Sequence, residues 1–310
     1  MDFTPEPYDT VTASSWVVCR TCGTQFPTDD RSVVKTCHIC DDPRQYVPRT
    51  GQSFTTLADL RLTHRNEFTT YPRDPRLTFI ETTPRLAIGQ RAILIKTPQG
   101  NILWDCLTLL DDDTIAHIDT LGGLAAIVIS HPHYYTTHVH WARAFACPVY
   151  LASEDQPWTT MPSAHTHALT QTDTEVVPGS GARAVKLGGH FPGSLVLLFG
   201  ERLLVADTLV TTPSGLGDWT VDGTGAARER PAGMNSYAFM WSIPNMIPLG
   251  AGELARMWDV LRRYEFRATH GAFGGMDVED PGVKGRVLES MQIQARFMGY
   301  GTHGLMSERV

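Results

Sequence analysis

The sequence predicts an α/β protein in which two packed sheets lie between outer helices, preceded by a small metal-binding ribbon. Three observations support this fold class. Two Cys-x-x-Cys pairs lie close together near the amino terminus. Further along, short apolar runs are separated by turn residues and mixed with helix-like segments, as expected of a layered α/β fold. Finally, His131 and His133 directly follow a strongly apolar run, which places polar side chains at the end of a strand.

The composition limits the classes of function. With 310 residues, the chain has room for about two domains, or for one large domain and a small one. Its 42% hydrophobic and 19% charged residues exclude a largely disordered protein. The formal charge of −7 argues against nucleic acid as a partner, because phosphate binding needs an excess of lysine and arginine. We therefore expect a small-molecule substrate, and a homo-oligomer stays open.

The sequence gives no sign of a segment for membranes or export. No apolar run approaches the roughly 18 residues needed to cross a bilayer. The first ten residues, MDFTPEPYDT, carry acidic side chains before any apolar stretch, whereas a signal peptide shows the reverse order. We expect a cytoplasmic protein without membrane contact.

The doubled Cys-x-x-Cys pattern predicts a tetrahedral site with four thiolate ligands. These are Cys19, Cys22, Cys37 and Cys40, with 14 residues between the two pairs. A site with four thiolates has no open coordination position and is structural. Zinc is the expected metal, since His38 stands where a rubredoxin-type knuckle usually carries proline. Iron stays an alternative, because it accepts the same four ligands.

Changes in composition divide the chain into four segments. They are a tail over residues 1–15, a zinc ribbon over 16–48, a linker with a short helix over 49–76, and the main domain over 77–310. Strands are predicted at 77–81, 91–97, 101–105, 125–130, 149–151, 184–187, 194–199 and 203–206. Helices are predicted at 111–121, 136–146, 250–264 and 279–299. Residues 211–235, rich in Gly, Thr and Asp, are expected to form a long loop, a kind of segment that often carries function.

Four side chains at predicted strand ends form a candidate metal site. His131 and His133 follow directly on a buried strand. His190 lies in a glycine-flanked turn between two strands, and Asp207 ends another apolar run. Because each of the four side chains follows a predicted strand, we expect them to converge at one edge of a sheet. Imidazole and carboxylate groups are common zinc ligands, so we predict a second metal site there.

With these motifs in view, residues 77–310 resemble the metallo-β-lactamase fold superfamily. The motifs are Ile102-Leu103-Trp104-Asp105, His131-x-His133, Gly189-His190-x-Pro192-Gly193 and Val205-Ala206-Asp207-Thr208. The resemblance implies an αββα sandwich with its metal site at the sheet edges. Together with residues 44–47 and 51–57, the ribbon resembles a subgroup of hydrolase-like members that carry an amino-terminal zinc ribbon.

The chain departs from the family motif His-x-His-x-Asp-His. Tyr135 stands where the motif has Asp, and Thr136 stands where it has the last His. Those two residues normally hold a second metal, and a phenol and a hydroxyl are poor replacements. The resemblance therefore implies one metal, bound by His131, His133 and His190 with Asp207 as the bridging-type carboxylate.

Two further histidines are additional ligand candidates. On a helix, His138 would share a face with Tyr135. His270 follows a predicted strand, as the final second-metal histidine of the family does. With Asp207 they could form a makeshift second site, and the alternative is that both hydrogen-bond substrate or backbone.

The leading hypothesis is a zinc hydrolase that attacks a small ester, thioester, lactone or related carbonyl substrate through a metal-bound hydroxide. Asp207 would orient the water or accept its proton. Tyr135 would either stabilise the developing oxyanion or simply pack at the start of a helix.

Two alternatives remain. One is a mononuclear iron site with two histidines and one carboxylate, which resembles the persulfide-oxidising branch of the superfamily. The other is a non-catalytic protein that senses a ligand and docks through its ribbon.

Overall fold

The structure, a computed structural model, describes Asp9 and residues 11–310. Most of the predicted tail over residues 1–15 lies outside this part of the chain, and its end forms a 3-10 turn at Thr12–Ser15. Within the described residues, no helix combines the length and the apolar character needed to cross a membrane.

Two short strands tie the ribbon to the segment that follows it. Strand β1 (Val18–Cys19) pairs antiparallel with β2 (Phe54–Thr55). Helix α1 (Leu57–Arg61) begins two residues later. The Thr56 side chain caps this helix by accepting a hydrogen bond from the backbone N–H of Asp59.

Seven strands form the first large sheet in the described part of the chain. In both chain order and spatial order they are β3 (Arg65–Thr70), β4 (Leu77–Thr83), β5 (Ala92–Ile95), β6 (Ile102–Trp104), β7 (Ala126–Val128), β8 (Val149–Ala152) and β9 (Thr166–Leu169). Neighbours pair antiparallel from β3 to β6 and parallel from β6 to β9. Parallel pairs need crossover connections, and two of these contain helices α2 (Asp112–Thr120) and α3 (His138–Ala144).

The second sheet comes from the later part of the chain. Its strands and those of two small two-stranded sheets are β10 (Asp173–Glu175), β11 (Ala182–Lys186), β12 (Leu195–Phe199), β13 (Arg202–Leu204), β14 (Val210–Thr211), β15 (Tyr237–Ala238), β16 (Met240–Ser242), β17 (Ile247–Pro248), β18 (Ala268–His270) and β19 (Asp277–Glu279). The sheet has the order β10-β11-β12-β13-β18-β19, and β13 runs parallel to β18. Helices in the same part are α4 (Pro213–Leu216), α5 (Ala251–Leu261) and α6 (Val283–Phe297).

The apolar core forms layers because successive side chains of a strand point to opposite faces. In β12, Leu195 and Leu197 pack against the first sheet, whereas Val196 and Leu198 pack with helices α5 and α6. Strand β5 alternates in the same way, and its Leu94 packs towards α2 and α3. The result is the αββα sandwich that the sequence predicts.

The first sheet begins earlier than expected. Residues 49–76 are expected from their sequence to form a linker, but β3 lies within them and pairs with β4 over its whole length. Its sequence, RNEFTT, has no apolar run, because most of its side chains are exposed or half-buried at the edge of the sheet. The predicted helices agree better, since α2, α3, α5 and α6 all lie inside their predicted segments.

Candidate metal centres

The four cysteines of the ribbon meet at one point. Their sulfur atoms lie within 4.8 Å of one another, with 3.7 Å between Cys19 and Cys40 and 3.6 Å between Cys22 and Cys37. A tetrahedral zinc site with bonds of about 2.3 Å has sulfur–sulfur edges of about 3.8 Å. All four thiols are buried. The cluster is therefore consistent with a zinc ribbon.

The second site lies where the two sheets meet. The backbone N–H of Leu195, at the start of β12, donates to the carbonyl of Ser130, which links the sheets beside the site. His131 follows Ser130, and a 3-10 turn over Pro132–Tyr134 brings His133 to the same side. This turn is the local reason why two histidines separated by one residue face a common point.

Glycines shape the turn that carries His190, which connects β11 to β12. Gly188 and Gly189 have φ values of +64° and +88°, a conformation that favours residues without a Cβ. Asp207 approaches from the end of β13, so it reaches the histidines from the second sheet.

Four ligand atoms converge at this second site. Oδ2 of Asp207 lies 3.4 Å from Nε2 of His131 and 3.9 Å from both Nδ1 of His133 and Nε2 of His190. The last two nitrogens are 3.1 Å apart. A tetrahedral zinc site with bonds of about 2.0 Å has edges of about 3.3 Å, so the donor set fits a zinc-sized ion. The structure thus brings together the four side chains predicted as ligands.

Hydrogen bonds on the outer side orient two of the three imidazoles. Nδ1 of His190 donates to the Trp241 carbonyl at 2.8 Å, which leaves Nε2 free to bind a metal. Nδ1 of His131 is hydrogen-bonded to Oγ of Ser130, also at 2.8 Å. Nε2 of His131 is buried and has no hydrogen-bond partner in the described chain. A bound cation would satisfy this atom.

Burial sets the charge of the site. It lowers the pKa of His133 to about 4 and that of His190 well below its usual value, so both are neutral at pH 7, as metal binding requires. For Asp207, burial acts to raise the pKa, but the three adjacent imidazoles hold it well below the usual range. The site therefore offers the neutral imidazoles of His133 and His190 and one carboxylate.

The tyrosine at the site is Tyr134, which corrects the expectation for Tyr135. The hydroxyl of Tyr134 donates to Oδ1 of Asp207 at 2.7 Å. The hydroxyl of Tyr135 donates instead to the backbone carbonyl of Asp155 at 3.1 Å. Tyr135 therefore packs in the core, the alternative that the sequence left open.

The makeshift second site does not form among the described residues. Nδ1 of His138 donates to the carbonyl of Tyr135 at 3.0 Å. Nδ1 of His270 donates to Oδ1 of Asp277 at 2.7 Å, and Nη1 of Arg202 donates to Nε2 of His270 at 3.0 Å. Neither histidine joins the group that holds Asp207. Thr136 likewise donates to the Leu107 carbonyl, so these positions are used for internal hydrogen bonds.

The ribbon also reaches this centre, through Arg44 and its partner Asp42, and sequence reasoning missed both residues. Nη1 of Arg44 donates to the carbonyl of His190 at 3.4 Å, and Asp42 is paired with Arg44. Neither belongs to a ligand motif, and their position depends on how the ribbon packs against the sandwich.

Comparison with known proteins gives one close relative in sequence. The "Uncharacterized protein YmaE" of Bacillus subtilis (strain 168) is 35% identical over 285 residues, which cover 90% of this chain and 94% of the relative. No protein-family model matches the chain.

Solved structures resemble the chain in fold. VMB-1 superposes with a TM-score of 0.50 at 12% identity, over 74% of this chain and 98% of its own. The DIM-1 metallo-β-lactamase gives a TM-score of 0.49 with the same identity and coverage. At such identities the likeness concerns the fold alone, and the likeness to VMB-1 confirms the metallo-β-lactamase fold expected from the sequence.

Proposed function

This chain belongs to the same family as Bacillus subtilis YmaE and has the metallo-β-lactamase fold, and on that premise we propose that it is a metal-dependent hydrolase with one catalytic zinc. The substrate class is a small ester, thioester, lactone or related carbonyl compound. The observation that carries the proposal is the convergence of three imidazole nitrogens and one carboxylate oxygen within 4.8 Å of one another.

The residues around this point have the properties that hydrolysis needs. A bound zinc ion lowers the pKa of a coordinated water and polarises a carbonyl. Neutral His133 and His190 would hold the ion without cancelling its charge. Because Tyr134 occupies Oδ1 of Asp207, the oxygen that faces the histidines is Oδ2. We propose that this oxygen orients the attacking water and accepts its proton.

We propose that the substrate lies in a cavity that shares two wall residues with the surroundings of Asp207. Its volume is about 650 Å³, and its walls include Glu81, Arg85, Gln90, Phe273 and Met276. Phe273 and Met276 also border a small space beside Asp207. We propose that the substrate body occupies this cavity and that its carbonyl reaches the site past residues 271–276. The polar wall suits a substrate with hydrogen-bonding groups.

The test is turnover by zinc-loaded protein on a panel of esters, thioesters and lactones. We expect zinc-dependent hydrolysis of at least one class, lost in His131→Ala and retained in His167→Ala, whose side chain is exposed. No turnover by the loaded protein, or an unchanged rate in His131→Ala, would overturn the proposal. Metal analysis of a separate preparation, purified without added metal, distinguishes zinc from iron.

One observation favours a second candidate, a metal-holding protein without turnover. The four ligand residues are at most 6% exposed. Four protein ligands around one ion are typical of closed, structural sites. A fully occupied site that turns over no member of the panel would support this function instead.

A further inference from the structure

We infer that the ribbon forms part of the histidine-containing metal centre, where the ion pair between Asp42 and Arg44 positions His190. The inference rests on the proposed metal site but not on hydrolysis. It makes Asp42 and Arg44 positioning residues, because each acts through a metal ligand.

The ion pair is held in one geometry. Nε of Arg44 donates to Oδ1 of Asp42 at 2.7 Å, and Nη2 donates to Oδ2 at 2.9 Å. The backbone N–H of Arg44 donates to Oδ1 as well, at 2.8 Å. The two side chains are 12% and 8% exposed. Two parallel charge-assisted bonds in a mostly dry setting fix the direction of the guanidinium.

Arg44 contacts two consecutive residues of the turn at the site, His190 and Phe191. Its Nη1 donates to the carbonyl of His190 at 3.4 Å. Its guanidinium carbon lies 3.9 Å from the centre of the Phe191 ring, a cation–π distance. The same group lies 5.1 Å from the centre of the Trp158 ring. Arg44 therefore restrains the turn that presents Nε2 of His190.

Asp42 acts on the site through Arg44. Its carboxylate accepts both guanidinium bonds, and this fixes the guanidinium that meets the His190 carbonyl and the Phe191 ring. Without the Asp42 carboxylate, Arg44 would lose its fixed direction and the His190 turn would lose its restraint.

Further contacts hold this part of the ribbon in place. His38, inside the second Cys-x-x-Cys pair, stacks on Trp158 with ring centres 6.2 Å apart. Trp158 meets Phe191 edge to face at 5.4 Å. Nδ2 of Asn245 donates to the carbonyls of Pro43 and Gln45 at 2.9 and 3.1 Å, one on each side of Arg44. The sulfur cluster is thus connected to the histidine cluster by packed side chains.

The experiment measures the zinc affinity of the histidine site in the full-length protein, by competition with a chelator while zinc fills the ribbon. Asp42→Asn and Arg44→Ala should each weaken this affinity about 10- to 100-fold. Arg44→Lys should fall between Arg44→Ala and the wild type, because lysine keeps the charge but not the paired bonds. Asp41→Asn and Arg49→Ala serve as matched controls, since both residues are exposed in the same segment, and they should leave the affinity unchanged.

Cobalt in the histidine site, with zinc kept in the ribbon, gives a second readout. The visible spectrum should change in Asp42→Asn and Arg44→Ala, because the ligand geometry changes. Wild-type affinity and spectrum in both variants would overturn the inference. Joint loss of the ribbon metal would also overturn it, since the variants would then act by unfolding the ribbon. A wild-type protein that binds no metal at the histidines would instead overturn the proposed function.

Discussion

The hydroxyl of Tyr134 donates to Oδ1 of Asp207 at 2.7 Å, while Oδ2 of the same carboxylate lies 3.4 Å from Nε2 of His131. Burial raises the pKa of Tyr134 well above its usual value, so the phenol stays protonated and remains a donor at neutral pH. One oxygen of Asp207 is therefore held by the phenol, and the other is left for the metal site. The tyrosine that orients Asp207 is therefore Tyr134, one position before Tyr135, which occupies the Asp position of the family motif.

Removing the Tyr134 hydroxyl should impair the site without unfolding the protein. A hydrogen bond to a charged group contributes about 1.5–3 kcal/mol, so Tyr134→Phe should lower the zinc-dependent rate about tenfold to a hundredfold. Tyr135→Phe is the matched control, because it loses a bond to the Asp155 carbonyl instead. Its rate per bound zinc should match the wild type. Equal losses in both variants would refute the role assigned to Tyr134.

Asp207→Asn should separate binding from catalysis. Asparagine keeps the shape and can still accept the bond from Tyr134, so we expect the melting temperature to stay close to that of the wild type. It loses the charge and the ability to take a proton, and loss of general-base action typically costs about a hundredfold to ten-thousandfold in rate. Asp259→Asn, at an exposed position on α5, should leave kcat unchanged. A wild-type kcat in Asp207→Asn would rule out the proposed proton acceptor.

The metal count per chain follows from where the remaining histidines lie. We expect two ions per chain at saturation, because His138 and His270 are engaged elsewhere. His131→Ala and Cys19→Ser should each reduce the count to one. Metal analysis of protein freed of loosely bound ions makes the measurement. Three ions per wild-type chain would contradict the expectation and restore His138 and His270 as ligand candidates.

Sequence patterns predicted the elements whose side chains are buried. Strands β5 and β12 appear as apolar runs because both of their faces are covered, one by the opposite sheet and one by helices. The four side chains of the histidine cluster were identified for a related reason: each follows a buried strand, where polar residues stand out. Edge strand β3 has no apolar run by which it could be recognised, since most of its side chains are exposed or half-buried.

The rest of the site depends on contacts that residue spacing does not encode. Tyr134 and Tyr135 are adjacent, and the 3-10 turn over Pro132–Tyr134 decides which of them meets Asp207. Arg44, paired with Asp42, reaches the site because the ribbon packs on the sandwich, and it lies 146 residues away from His190 in sequence. Such long-range packing does not produce a local sequence motif that could predict it.

The free energy of unfolding should fall in mild acid, in part because the pKa of buried His138 is lowered. Burial lowers its pKa to about 4 from a usual 6.5. Above pH 6.5 the residue is neutral in both states. Between pH 6.5 and 4 the unfolded chain binds a proton that the folded protein does not, so the free energy of unfolding falls as the pH falls. The full effect is about 3 kcal/mol, from about 1.4 kcal/mol per pKa unit.

Urea unfolding at pH 7 and pH 4.5 tests this contribution. His138→Gln cannot take up the proton, so its stability should change less between the two pH values than that of the wild type. His167→Gln, at an exposed position, should change as much as the wild type does. An identical pH dependence in His138→Gln would show that His138 contributes nothing to it.

Two glycine substitutions should have opposite effects. A Cβ at Gly193, in the His190 turn, would lie 2.4 Å from the Cβ of Ala152 and 2.9 Å from Oδ2 of Asp155. Because Ala152 belongs to the first sheet, the added methyl group would push the His190 turn away from it. Overpacking of this kind costs about 1–3 kcal/mol, so Gly193→Ala should lower both stability and zinc affinity.

Gly285 provides the contrast, since it lies in helix α6 and a Cβ there would meet no atom within 4 Å. Gly285→Ala should raise the free energy of unfolding by about 0.5–1 kcal/mol, because alanine loses less backbone entropy in a helix. Urea unfolding and zinc competition on both variants make the comparison. If Gly193→Ala kept wild-type zinc affinity, the close approach between the His190 turn and the first sheet would not be what holds His190 at the metal site.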